Sequence, residues 1–135
     1  MSEATRARGF SRLLVVIYAI FAIGATSRSL VQLATRFDEA PIAYLLSAVA
    51  AVVYIVATIA LALGERGRRV ATITIAFELA GVLIVGTLSL LAPDLFPRAT
   101  VWSGFGIGYL FIPLVLPILG LWWLRRSSQE LTPEA

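Results

Sequence analysis

The chain has 135 residues, of which 59% are hydrophobic and 14% charged, with a mean hydropathy of +0.91. A soluble domain is roughly one quarter charged and roughly half apolar, and a small fold hides only part of its surface, so the surplus apolar side chains must face lipid. The formal charge of +3 and pI near 10.0 do not point to nucleic acid, because the basic residues flank apolar segments, where membrane topology puts them.

Residues 1–12 read as a short polar tail holding Arg6, Arg8 and Arg12. A first span follows over 13–34, apolar except for a far end with Ser27, Arg28, Ser29 and Gln32. Its early part, 13–25, also has the length of a signal-peptide apolar region, the competing reading of this segment. After a loop holding Asp38 and Glu39, Pro41 suits a first helical position, where no N–H partner is needed, and a second span covers 41–63. The segment 64–69 is a tight basic turn. The third span, 70–92, is broken only by Glu78. The longest loop contains Asp94, Pro97, Arg98 and Trp102, and the fourth span, 105–124, ends at Arg125 and Arg126, with 125–135 as a polar tail. The pairs Arg8-Gly9 and Arg66-Gly67 each precede an apolar run, the one hint of an internal duplication.

Each span is close to the ~20 residues needed to cross a ~30 Å hydrocarbon core. Lipid cannot satisfy backbone polar groups, so helices are the default, and continuous apolar runs do not fit the alternating strands of a barrel. The fold class is therefore all-α, a four-helix transmembrane bundle. One side of it carries Arg6, Arg8, Arg12, Arg66, Arg68, Arg69, Arg125 and Arg126; the other carries Arg36 and Arg98, with Arg28 near a helix end. The arginine-rich side is expected in the cytoplasm, which places both termini there. Trp122 and Trp123 fit an interfacial aromatic belt, and Trp102 fits the opposite interface. All 11 basic residues are arginines. With abundant Ala, Val and Leu, that is the usage of a GC-rich bacterial genome, and it points to a bacterial cytoplasmic membrane.

Residues three and four apart share a helix face. Small or polar stripes then run through Gly24, Arg28, Gln32 and Thr35; through Tyr44, Ser47, Ala51, Tyr54 and Thr58; through Thr74, Glu78, Gly81, Val85 and Ser89; and through Tyr109, Pro113, Pro117 and Gly120. Such stripes serve helix packing, through close approach and hydroxyl bonds, or line a polar cavity. Glu78 lies nine residues past Arg69, about 14 Å into the membrane at about 1.5 Å per residue. A carboxyl near the midplane faces the bundle interior and is either paired or protonated. Arg28 stands about 10 Å above it by the same rise, and either reaches toward it or snorkels outward. Tyr54 is the nearer expected donor. Glu78, Arg28, Tyr54, Gln32 and Thr74 make up the candidate buried polar site. Glu78 then acts as a structural lock fixing helix register, as a proton- or cation-coupling group, or as a contact for a partner helix. Pro113 and Pro117 are expected to bend the fourth span. The glycines at 104, 106 and 108 are not a dinucleotide loop, since no strand precedes them.

Without cysteine or histidine, disulfides and the usual zinc sites are excluded, and the commonest general base is missing. Glu78 is the sole acid inside a span, so no carboxylate pair forms in the core. The sequence implies no metal, no cofactor and no enzyme. The partners it implies are the lipid bilayer and either a second copy or another membrane protein.

Two stretches carry a resemblance. They are Arg28-Ser29-Leu30-Val31-Gln32 with Phe37-Asp38-Glu39-Ala40-Pro41, and Thr100-Val101-Trp102-Ser103-Gly104-Phe105-Gly106 with Tyr109-Leu110-Phe111-Ile112-Pro113-Leu114-Val115-Leu116-Pro117. In these the chain resembles the small four-span membrane proteins of actinobacteria, a likeness that covers the whole bundle and implies no activity. Small multidrug exporters also have four spans and one membrane glutamate, but theirs lies in the first span, whereas Glu78 is in the third. The function expected is a non-enzymatic accessory or interaction module. The alternative is a small proton- or cation-coupled transporter or channel-like protein using Glu78.

Overall fold

The computed structural model describes residues 3–131, with side chains from 8 to 126 other than Phe37. The tips of both expected tails, 1–2 and 132–135, and the side chain of Arg6 lie outside that description. The described chain is all-α: α1 (Glu3–Thr35), α2 (Pro41–Ala62), α3 (Arg68–Leu91) and α4 (Ile112–Leu131), with short 3₁₀ segments between them. α1, α2 and α3 are each long and apolar enough to cross a membrane, and a fourth crossing is formed if the bent pair Ser103–Tyr109 and Ile112–Arg126 counts as one.

α1 packs along α2, α2 against α3, and α3 against both α4 and the segment Ser103–Tyr109; α1 and α4 also meet and close the ring. α1 starts at Glu3, so the expected tail of 1–12 is helical from that residue on. Pro41 opens α2 at its first turn, where its missing N–H leaves no bond unmade. Arg68, at the start of α3, donates to the Leu124 carbonyl of α4 and ties those two ends together.

The inward lines follow helical spacing. They are Leu14, Tyr18, Ala22 and Ser29 on α1; Ala43, Ser47, Ala50, Tyr54, Ala57 and Leu61 on α2; and Ala71, Ile75, Glu78, Val82 and Val85 on α3. The alanines let α2 sit close to its neighbours, the usual device of membrane helix packing. Outward faces are apolar too: Ile20, Ile23, Val52, Ile59, Ile73, Phe77 and Ile84 are all exposed.

The fourth span differs from a continuous helix over 105–124. Residues Ser103–Tyr109 form a 3₁₀ segment in which Gly104, Phe105 and Gly106 have φ of 58°, 61° and 86°. Leu110 and Phe111 are also left-handed, at 59° and 60°. α4 then departs at 100° to the preceding segment. Pro113 contributes to the break. In a continuous helix the Pro113 ring would strike the Tyr109 carbonyl, whereas beginning the helix at Ile112 puts Pro113 in the first turn, where it is tolerated. Pro113 is thus a helix starter and not the first of two kinks, and only Pro117 lies inside α4. At Gly106 an added Cβ would also lie 2.7 Å from the Pro113 ring, so this corner requires glycine for both its backbone and its space.

Candidate functional site

Glu78 is fully buried, with 0% of its surface exposed. The Tyr18 hydroxyl of α1 donates to its Oε1 at 2.6 Å, and its Oε2 has no hydrogen-bond partner. Burial of a polar group without bonds costs about 1–3 kcal/mol, so the Tyr18 bond is what makes this position tolerable. The phenol-bearing face of α1 is delivered by the four-residue spacing of Leu14, Tyr18 and Ala22, all buried.

A second bond lies beside the first. Trp102 donates through Nε1 to the Tyr54 hydroxyl at 3.0 Å, and the Tyr18 and Tyr54 rings lie 6.1 Å apart. Trp102 is not an interfacial belt residue: it is 2% exposed and lies over Gly81, where an added Cβ would sit 2.6 Å from its ring. The missing side chain of Gly81 is the slot that admits the indole. Thr100 and Ser103 hold the turn beneath it, with Thr100 Oγ1 accepting from the Trp102 and Ser103 amides at 3.1 Å each.

Arg28 forms a separate centre. Its guanidinium donates to the Tyr109 hydroxyl and to the Ala99 carbonyl, the latter at 3.1 Å. The Phe21 ring bridges the two centres, 5.4 Å from Tyr54 and 5.9 Å from Tyr109. Arg28 and Tyr109 line two cavities. One, of ≈ 200 Å³, runs along α1 and α2 and is otherwise lined by Ile20, Phe21, Gly24, Ala25, Ser29, Ser47 and Val101. The other, of ≈ 560 Å³, lies toward Ser89, Thr100, Ser103 and Gly108. Glu78 lines neither.

The five residues expected to form one polar site are therefore divided. Glu78 is buried as expected, but its partner is Tyr18. Tyr54 accepts from Trp102 instead of donating to Glu78, and Arg28 makes no ion pair with Glu78. Gln32 is half-buried with an unpartnered Oε1, and Thr74 lies half-buried at the edge of the α3 line. The stripe through Gly24, Arg28, Gln32 and Thr35 is not the inward face of α1, since Gly24 and Thr35 are exposed. Small and polar residues mark where that helix opens, while its inward line carries Leu14 and Tyr18.

Chemically, the inner centre holds one carboxyl, two phenols and an indole. That set can fix helices against each other but lacks a paired nucleophile and base. Among the described residues no three metal-ligating acids, histidines or cysteines come together. No family model, no curated protein and no solved structure matches this chain.

Proposed function

We propose that this chain is a multi-pass protein of a bacterial cytoplasmic membrane, with both termini in the cytoplasm, serving as a non-enzymatic module that packs against another membrane protein or a second copy. On this reading it groups with the small four-span membrane proteins of actinobacteria that its two stretches resemble. The observation that carries the proposal is the burial of Glu78, which is fully enclosed, bonded to Tyr18 and absent from the lining of the two cavities beside Arg28. A coupling carboxyl must meet water or an ion at some stage, whereas a structural lock is best kept dry. The arginine asymmetry supports the orientation, and the apolar outer faces suit lipid or a neighbouring helix equally. Purification of the intact chain in mild detergent tests this reading, with recovery of a homo-oligomer or a stoichiometric membrane partner expected. Recovery as a lone monomer across mild detergents overturns it.

The transport alternative has the ≈ 560 Å³ cavity in its favour. It requires that Glu78→Gln abolish proton-linked flux in liposomes with the fold intact. Unchanged flux in that variant removes Glu78 from any such mechanism.

A further inference from the structure

We propose that the groove between α1 and α2 binds an amphiphile with an anionic head, the head on Arg28 and Tyr109 and the chain along Phe21, Gly24 and Ile20. Four observations point there. The groove has a volume of ≈ 200 Å³ and a mostly apolar lining. Ile20 and Gly24 are exposed at its mouth, and a Cβ added at Gly24 meets nothing within 4 Å, so it opens sideways toward lipid. At its inner end Ser29 and Ser47, 4% and 5% exposed, present hydroxyls with no hydrogen-bond partner. Thr26 Oγ1 on α1 is likewise unpartnered but lies outside the groove lining, whereas Thr35, Thr58, Thr72 and Thr87 each donate to the carbonyl four residues back, the ordinary way such a group is satisfied. Finally, Arg28 is held by neutral oxygens alone and forms no ion pair among the described residues, while Glu39 at the same end of the bundle is already engaged by Arg98 at 3.6 Å.

A carboxylate or phosphate head completes this arrangement. Arginine offers a planar fork of donors matched to either, and the two serine hydroxyls supply further donors. The proposal rests on the chain residing in lipid, as the proposed function does. It does not depend on a protein partner, and the test below is read on the isolated chain.

The test is native mass spectrometry of the full chain in detergent, titrated separately with oleate, phosphatidylglycerol, phosphatidylcholine and inorganic phosphate. Retention of one oleate or one phosphatidylglycerol per chain is expected, with phosphatidylcholine at least about tenfold weaker. Oleate alone identifies a single-chain acid as the source, and phosphatidylglycerol alone a lipid. Arg28→Gln is expected to weaken the anionic amphiphile about tenfold and to erase its advantage over phosphatidylcholine. Gly24→Leu, at a position where an added Cβ meets nothing within 4 Å, is expected to block both amphiphiles while leaving thermal stability unchanged. Equal retention of zwitterionic and anionic lipid, binding of inorganic phosphate with no amphiphile, or unaltered binding in a folded Gly24→Leu chain overturns the proposal.

Discussion

The Tyr18 hydroxyl and the Glu78 carboxyl, sixty positions apart in the chain, meet at 2.6 Å in the centre of the bundle and join α1 to α3. Removing the phenol oxygen by Tyr18→Phe leaves Glu78 with no donor at all. Interhelical polar bonds in membrane proteins average about 0.6 kcal/mol in double-mutant cycles, but a buried group left unsatisfied costs about 1–3 kcal/mol. The second effect governs here, because Oε2 is already unpartnered. A loss of about 1 kcal/mol or more is expected in thermal unfolding in detergent. An unshifted melting temperature for Tyr18→Phe contradicts the lock.

The same pair gives a sharper test. Glu78→Gln keeps an acceptor for Tyr18 and should retain most of the stability. Tyr18→Phe combined with Glu78→Leu removes both polar groups, and should be less destabilised than the sum of the two single changes. Strict additivity in that cycle would mean the bond contributes nothing.

Gly81 and Trp102 act as slot and key. Gly81→Ala puts a Cβ 2.6 Å from the indole ring, so the ring must move and its bond to Tyr54 must lengthen. Overpacking of this kind costs about 1–3 kcal/mol. The expected readings are a lower melting temperature and a shift of the Trp102 emission, followed in a chain where Trp122 and Trp123 are replaced by phenylalanine. Identical emission and stability would show that the indole is not seated on Gly81.

Leu110 sits in the left-handed region at φ 59°, which costs a non-glycine residue about 1–2 kcal/mol. It is also 83% exposed, so its side chain contributes little packing to offset that strain. Leu110→Gly should therefore leave stability unchanged or raise it by up to about 1 kcal/mol. A clear loss of stability would argue against the bend between Tyr109 and Ile112.

The proposed orientation is open to direct measurement, since the chain has no cysteine. Single cysteines at Arg66 and at Asp94 lie at opposite ends of α3. An impermeant thiol reagent applied to intact cells should label the Asp94 position and spare Arg66. The reverse pattern inverts the topology.

Much of the fold was readable from periodicity and hydropathy. α2 and α3 fall within a residue or two of the 41–63 and 70–92 spans, because Pro41, Gly64 and the arginines at 66, 68 and 69 punctuate them. The departure of the fourth span from a continuous helix over 105–124 is invisible to hydropathy, which does not register backbone strain. Residues 105–111 are apolar enough to continue a helix, but Gly104 and Gly106 take left-handed backbone and Pro113 disfavours a helical turn before it. Glu78 was legible as a buried carboxyl from its depth alone. Its partner was not, since depth along a helix does not reveal which aromatic on a neighbouring helix is rotated toward it. The available signal was the repeat of Leu14, Tyr18 and Ala22 at intervals of four. A place in a loop suits Trp102 to an interface, whereas the missing side chain of Gly81 lets it turn inward.

The right-angle entry into α4 leaves that helix short. Its apolar stretch, 112–124, rises about 20 Å at about 1.5 Å per residue, against a hydrocarbon core of ~30 Å. α2 and α3 have no such deficit. In a bilayer the acyl chains alongside α4 would meet a lower wall than those alongside α2, so any local thinning is concentrated on one flank of the molecule. A mismatch of this one-sided kind carries a modest cost per ångström, which tilting or local bilayer thinning relieves.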